Sequence, residues 1–232
     1  MEVKLLTYTP EPDRVVATAA RLCYAPQDAE TVWAGFTREK QEEFLGKLSA
    51  YGHFSPYEHV SFTFAISGVS RALSHQLVRH RIASYSQRSQ RYVNEDSFGV
   101  VVPPTVAADP AAKEEFEKVI TAIREGYRRL AALGIPKEDA RYLLPNACQT
   151  QLIMTMNARS LLHFLALRCC RRAQWEIRAL AWQVRAEALK VAPLLFRASG
   201  PSCLVQGKCA EGALSCGRPY TKEEVEAAHG VA

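Results

Sequence analysis

The chain has 232 residues, of which 48% are hydrophobic, 23% charged and 9% aromatic. This composition is typical of one globular domain, or of a domain with a short appendage, and it excludes fibrous, disordered and repeat proteins. The formal net charge of +5 suits an anionic small molecule as well as nucleic acid. No apolar run is long enough to span a bilayer and the N-terminus lacks the apolar core of a signal peptide, so we expect a cytoplasmic protein.

The first third of the chain predicts a strand over 3–8, a helix over 14–23 and a helix over 37–49 that Thr37 caps. The clearest strand covers 60–67, where large apolar residues alternate with small and polar ones, so that one face of a sheet is buried. Gly68 is predicted to end this strand, and a helix over 69–81 should follow it.

The second half of the chain is richer in helical patterns. A helix begins at Pro110 and ends at Gly134, and a strand covers 149–156. The stretch 157–192, which contains no Gly or Pro and is followed by Pro193, predicts one long core helix. The order of these elements favours an α+β fold, with a mostly antiparallel sheet flanked by helices and one long C-terminal core helix. We expect residues 1–198 to form this domain and residues 199–232 to form a tail that contains cysteines.

The segment from Arg71 to Arg91 concentrates positive charge. It contains five arginines and two histidines but no Asp or Glu, and it is interleaved with Ser, Tyr and Gln side chains. Such a run can be a basic face exposed to solvent. However, guanidinium groups beside hydroxyl groups also bind the oxygens of a phosphate. The residues alone favour a phosphate or nucleotide site over a plain basic face.

Two further clusters of polar residues could carry chemistry. The first lies on the predicted long helix and comprises Asn157, Arg159, His163 and Arg168. The second is the turn 52–59, which holds two histidines and one carboxylate just before the strand at Val60. Each of these residues could also be a hydrogen-bonded residue of the core or a loop.

These residues resemble those of the flavin-dependent thymidylate synthase family. The family's signature is matched by Arg79-His80-Arg81, seven further residues and Ser89, within the longer string RHRIASYSQRSQRY. The segments GHFSPYEHVSFTF and NARSLLHFLALR are similar to two other segments of the same family, in the same order. The resemblance extends over residues 1–197.

The resemblance implies a methyltransferase that converts dUMP to dTMP. Methylenetetrahydrofolate would donate the carbon, FAD reduced by NADPH would supply the hydride, and no protein nucleophile would add to the uracil ring. The family also implies a homotetramer with active sites shared between subunits, and small-molecule partners without nucleic acid or membrane.

The resemblance also assigns roles to single residues. Arg168 would activate the uracil ring, and His53 would lie near the flavin and the folate. The residues implied in cofactor binding are Ser55, Arg79, His80, Arg81, Gln87, Asn157, Arg159 and His163. Those implied in dUMP binding are Gln76, Arg79, Gln87, Ser89, Gln90, Arg91, Arg141 and Arg168. Gln87 and His163 depart from some members, which have Glu and Asn there.

Three cysteines of the tail, Cys203, Cys209 and Cys216, are spaced more widely than the ligands of a usual zinc knuckle, so we expect free thiols and no metal. Two other functions remain possible from the sequence. The basic segment with its tyrosines could belong to a nucleic-acid-binding module, and the phosphate-binding residues could serve a flavoenzyme of another specificity.

Overall fold

The structure is a computed structural model that describes residues 1–229. The side chains of 227–229 and the last three residues of the predicted tail, 230–232, lie outside the described residues. No helix within the described part of the chain is both long and apolar enough to cross a membrane.

Four strands form one antiparallel sheet in the order β1-β2-β4-β3. Their bounds are β1 Glu2–Tyr8, β2 Ser61–Ser70, β3 Ala83–Gln87 and β4 Gln149–Asn157. The two central strands run in opposite directions, because the N–H of Ala158 pairs with the carbonyl of Val60 while the N–H of Arg71 pairs with the carbonyl of Cys148. The sheet therefore has the predicted antiparallel character.

Helices make up most of the remaining structure. They are α1 Pro12–Leu22, α2 Ala29–Gly35, α3 Arg38–Ala50, α4 Arg71–Leu77, α5 Pro104–Ala107, α6 Pro110–Ala132, α7 Lys137–Ala140, α8 Ala158–Arg168, α9 Trp175–Val191, α10 Pro193–Phe196, α11 Ser202–Val205 and α12 Lys222–His229. Short 3-10 helices cover Ser55–His59, Arg141–Leu143 and Gly212–Leu214. The α+β fold class is confirmed.

Local sequence explains several of these elements directly. Phe62, Phe64 and Ile66 of β2 are fully buried, as the alternation of apolar residues predicts. The side chain of Thr37 accepts a hydrogen bond from the N–H of Lys40 and caps α3. Asp109 caps α6 in the same way, by accepting from two backbone N–H groups.

The end of β2 differs from the prediction. Gly68 does not end the strand, which continues to Ser70; its positive φ of 64° brings the backbone close to Met1, and an added Cβ would lie 3.1 Å from the Met1 nitrogen. Ser70 then caps α4 by accepting from the N–H of Leu73 at 3.0 Å. Helix α4 ends at Leu77, four residues earlier than predicted.

The predicted long helix over 157–192 is two helices. The long C-terminal helix exists as α9, but it begins only at Trp175, because residues 169–174 are not helical. Side chains stabilise this break: Gln174 caps α9 through the N–H groups of Glu176 and Ile177, and Arg178 donates to the carbonyls of Arg171 and Ala173. The sequence contains no Gly or Pro there that would have signalled an interruption.

The chain divides into two compact units. The first comprises Met1–Glu2, Ile66–Arg79 and Ser86–Ile153, and the second comprises Val3–Ala65, His80–Tyr85 and the chain from Met154 onward. In the first unit, α6 packs against α5 and α7, over a cluster of buried side chains formed by Phe98, Ile120 and Cys148. In the second, α1 packs on α2, α3 and α10, while α8 packs on α9. The predicted domain boundary at 198/199 stays a prediction.

Candidate active site

The signature segment is bound to one face of α8 in the second unit. The ring of His80 packs edge-on against Phe164, with ring centroids 5.0 Å apart. The backbone N–H of Ile82 donates to the hydroxyl of Ser160 at 3.2 Å. Ser160, Phe164 and Arg168 are spaced by four residues, so they lie along a single stripe of the helix. This stripe brings His80 and Arg168 together from positions far apart in the sequence.

His80 and Arg168 form a direct hydrogen bond. Nε of Arg168 donates to Nε2 of His80 at 2.8 Å, which requires a neutral imidazole with its proton on Nδ1. Burial, and then the charges of Arg168 and His163, lower the pKa of His80 to about 4. The imidazole therefore stays neutral at physiological pH and remains an acceptor for the guanidinium.

The turn at His53 lines a cavity of the second unit together with α8. The cavity has a volume of about 320 Å³, and its lining includes His53, Ser55 and Arg159 as well as the apolar side chains of Leu48 and Phe54. Arg159 forms an ion pair with Glu58, and both side chains are about half exposed. An ion pair so exposed to water contributes only ~0.2–1 kcal/mol, so an anionic ligand can replace Glu58 at small cost.

The remaining predicted cofactor residues of this unit have varied surroundings. Asn157 caps α8, because its Oδ1 accepts from the N–H of Ser160 at 2.8 Å. His163 is exposed on the same helix. Arg81 is exposed as well, and its Nη1 donates to the carbonyl of His80 at 3.1 Å. Asn157 thus has a structural role of its own, which the sequence did not indicate.

The first unit contains most of the residues implied in dUMP binding. Gln87 at the end of β3 donates to the hydroxyl of Thr150 at 3.1 Å. The amide of Gln90 is 3.5 Å from the sulfur of Cys148. Arg91 forms an ion pair with Glu138 through Nη2 at 2.8 Å. Polar side chains from β3, the following loop and the region around α7 are thereby gathered within this unit.

The other members of that set lie nearby in the chain. Nε of Arg141 donates to the carbonyl of Glu138 at 3.1 Å, next to the carboxylate that pairs with Arg91. The hydroxyl of Ser89 accepts from the N–H of Arg91 at 3.2 Å. Gln76 on α4 is half-buried, and Arg79, two residues after the end of this helix, is exposed. Arg91 and Arg141 therefore both contact Glu138, and Ser89 contacts the backbone of Arg91.

A buried ion pair holds the loop that carries Ser89, Gln90 and Arg91. Arg88, just before these residues, donates to both carboxylate oxygens of Glu95 at 3.0 Å. The side chain of Glu95 is only 2% exposed, and its backbone N–H also donates to the hydroxyl of Tyr127 on α6. The loop is therefore fixed at both ends within the first unit.

The tail contacts the break between α8 and α9. Arg171 pairs with Glu224, and Arg172 pairs with Glu211 at 2.8 Å. The three tail cysteines and Cys170 line one cavity of about 280 Å³, whose wall also includes Arg168. Among the side chains that the structure describes, residues 1–226, no group of His, Cys, Asp or Glu is arranged to hold a metal ion.

Sequence reasoning missed four contact residues. Glu95 and Glu138 each form an ion pair with an arginine of the basic segment. The hydroxyl of Ser160 accepts a hydrogen bond from the backbone of the signature segment, and the hydroxyl of Thr150 accepts one from Gln87. The sequence showed only that the run from Arg71 to Arg91 contains no Asp or Glu. Nothing in the sequence specified which carboxylates these would be.

Comparisons with known proteins identify the family. The chain matches the model of the thymidylate synthase complementing protein family over residues 4–194. The flavin-dependent thymidylate synthase of Clostridium tetani is 52% identical, over 97% of this chain and 96% of the relative. The chain belongs to the flavin-dependent thymidylate synthase family. The corresponding protein of Geobacter sulfurreducens is 51% identical, over 94% of both chains.

A solved structure with a similar fold supports the assignment to this family. The UMP/dUMP methylase PolB from Streptomyces cacaoi, crystallised with 5-Br dUMP, superposes with a TM-score of 0.73 at 27% identity, over 84% of this chain and 92% of that one. The family resemblance predicted from the sequence is confirmed, and with it the enzyme class, a FAD-dependent thymidylate synthase that acts as a methyltransferase. FAD is the cofactor of this class.

The residues of the second unit fit a flavin nucleotide. The cavity at His53 combines a guanidinium, an imidazole and a hydroxyl with apolar walls, which suits a ligand that has both phosphates and aromatic rings. Its volume of about 320 Å³ is near the lower end of small-molecule sites, which hold roughly 300–1,000 Å³, so it would take one part of the dinucleotide. Arg159, Ser55 and His53 would hold that part.

Proposed function

We propose that the enzyme methylates dUMP with methylenetetrahydrofolate as carbon donor and with FAD, reduced by NADPH, as hydride source. The products would be dTMP, tetrahydrofolate and NADP⁺. Bound flavin would supply the hydride that completes the methyl group. The residues of the chain would bind and orient the substrates and stabilise the charge that develops on the uracil.

The arrangement of Arg168 is the observation that carries this proposal. Its guanidinium is half-buried at the end of α8, and its Nε is oriented by the neutral ring of His80. A fixed cation in a site sheltered from water stabilises a developing anion strongly. We assign Arg168 to the N3 side of the uracil, where it would favour the ionised ring and so activate its carbon 5 for methylation.

The first unit supports binding of the nucleotide phosphate. The guanidinium groups of Arg91 and Arg141 both contact Glu138, and the hydroxyl of Ser89 contacts the backbone N–H of Arg91. Arginine forks and hydroxyl groups are the usual partners of phosphate oxygens. We assign Gln76, Arg79, Gln87 and Gln90 to contacts with the same nucleotide, and dUMP is supported further by the nucleotide analogue bound to the related methylase PolB.

The second unit supports binding of the flavin. We assign Ser55, Arg81, Arg159 and His163 to cofactor contacts, with Asn157 contributing as the cap that begins α8. Arg79 and Gln87 stay predicted contacts of both the cofactor and the nucleotide. His53 is exposed at the cavity lined by Arg159, so it can reach a ligand held there.

A reaction without a protein nucleophile is consistent with the buried cysteines. Burial, with a smaller contribution from Glu95, raises the pKa of the Cys148 thiol to about 11. Burial likewise raises the pKa of Cys169. Because the thiolate is the nucleophilic form, these two thiols are poorly suited to add to a uracil ring.

Anaerobic turnover tests the proposal. Flavin that NADPH has reduced should be reoxidised only when dUMP and methylenetetrahydrofolate are both present. Omission of either substrate should leave the flavin absorbance unchanged. Reoxidation by another pair of substrates would point to a flavoenzyme of different specificity. A colourless protein that takes up no FAD would instead favour the nucleic-acid-binding alternative. A homotetramer with shared sites and a cytoplasmic location stay predictions.

A further inference from the structure

His80 is bound to Arg168 in a way that restricts the guanidinium. One N–H of Arg168 points to Nε2 of His80 at 2.8 Å, and a guanidinium is planar, so this contact fixes the direction of its whole fork. The two residues are 88 positions apart in the chain. They meet because the segment that contains His80 packs along α8, through Phe164 and Ser160.

His80 is itself held from three sides. Its ring packs edge-on against Phe164, one turn of helix before Arg168. Its carbonyl accepts hydrogen bonds from Nη1 of Arg81 at 3.1 Å and from the hydroxyl of Tyr85 at 3.3 Å. The residue is only 8% exposed, so little of its surface can contact a ligand. The acceptor nitrogen therefore has a fixed position relative to α8.

We propose that His80 is a positioning residue, whose Nε2 holds the guanidinium of Arg168 in the orientation that activates the uracil ring. This inference rests on the proposed function, in which Arg168 contacts the pyrimidine. It also changes the role that the sequence resemblance gives to His80, from a contact of the flavin to a residue that acts through Arg168. A displacement of a catalytic group by about 1 Å can cost roughly a hundredfold in rate.

Three variants of the full-length holoenzyme separate the role of the acceptor atom from the role of packing. His80→Gln places an acceptor oxygen near the position of Nε2. His80→Asn keeps a polar amide but is too short to reach Arg168. His80→Leu keeps the apolar contact with Phe164 and removes the acceptor. For each variant, kcat and KM for dUMP, FAD content by absorbance and melting temperature are measured together.

We expect His80→Gln to keep kcat within about threefold of the wild-type value, and His80→Asn and His80→Leu to lower it by about tenfold or more. The FAD content should stay at one per chain in all three, with KM for dUMP changed far less than kcat. If His80→Leu does not fold, the comparison of the Gln and Asn variants decides the question by itself.

Two results would overturn the inference. Equal kcat values for the Gln and Asn variants would mean that the acceptor atom does not matter, and loss of FAD from any folded variant would return His80 to the cofactor. Failure of the proposed function is a separate observation, since the wild-type enzyme would then form no dTMP from dUMP at all.

Discussion

Arg88 donates from one terminal nitrogen to both carboxylate oxygens of Glu95, at 3.0 Å each. The carboxylate is 2% exposed and the arginine side chain 35% exposed, so the pair is largely removed from water. Between the two residues lie Ser89, Gln90 and Arg91, which are three of the proposed nucleotide contacts. The ion pair thus couples the stability of the first unit to the shape of a proposed binding loop.

Replacement of Glu95 should therefore affect both stability and binding. Glu95→Ala leaves the guanidinium of Arg88 without its carboxylate, and we expect the free energy of unfolding to fall by about 2 kcal/mol. The KM for dUMP should rise in parallel, because the loop loses one anchor. Urea unfolding and steady-state kinetics measure the two effects. Glu125→Ala is the control, since Glu125 is 58% exposed in a pair on the surface of α6.

Arg91 should contribute mainly to substrate affinity. Arg91→Ala removes a guanidinium assigned to the phosphate, and we expect the affinity for dUMP to fall by ~1.5–3 kcal/mol, as for other lost contacts to a charged group. Isothermal titration of dUMP into the holoenzyme measures the change. Arg129→Ala, at an arginine that is 71% exposed on α6, should bind dUMP normally. Unchanged affinity in the Arg91 variant would remove this residue from the nucleotide site.

Arg168 should contribute mainly to the chemical step. Arg168→Ala removes the cation assigned to the uracil, so we expect turnover to be lost while the protein still carries FAD. Single-turnover product analysis and the flavin absorbance of the purified variant measure both quantities. If the variant instead lost FAD and kept its affinity for dUMP, Arg168 would belong to the cofactor site.

The stability of the enzyme should depend on pH through His80. Its pKa is lowered from 6.5 to about 4 in the folded protein, so the unfolded state binds more protons between these values and stability falls as the pH is lowered through this window. The groups that face His80 are Arg168 and His163 on α8 and Arg81 and Tyr85 near β3.

Melting temperatures at pH 7 and pH 5 test this expectation. His80→Gln cannot be protonated and should lose less stability on acidification than the wild-type protein does. His75→Gln, at an exposed histidine of α4, should behave like the wild type. An identical decrease in all three proteins would show that His80 does not govern this pH dependence.

Local patterns predicted much of the fold. The alternation in β2 and the caps at Thr37 and Asp109 were visible because their interactions join residues that are close in sequence. The break before α9 was not visible, because it depends on Arg178 donating to carbonyls of residues that a helix would otherwise have continued through. Hydrogen bonds from the side chains of Gln174 and Arg178 to the backbone mark this boundary in place of the usual Gly or Pro.

The types of the site residues and the family resemblance predicted which residues belong to the candidate site. They did not predict which of these residues contact one another. The carboxylate of Glu58 lies 101 positions from its partner Arg159, and His80 lies 88 positions from Arg168. No periodic pattern connects residues so far apart, because their approach is set by the packing of the 3-10 helix Ser55–His59 and of the signature segment on α8. The burial of His80 and the acidic partners of the arginines could therefore come only from the structure.

Product analysis tests the central claim most directly. The holoenzyme is incubated anaerobically with NADPH, methylenetetrahydrofolate and dUMP, and the nucleotides are separated and identified by mass. We expect dTMP to accumulate in an amount equal to the NADPH consumed, and to be absent when dUMP or the folate is omitted. Consumption of NADPH in the complete mixture without any dTMP would contradict the account.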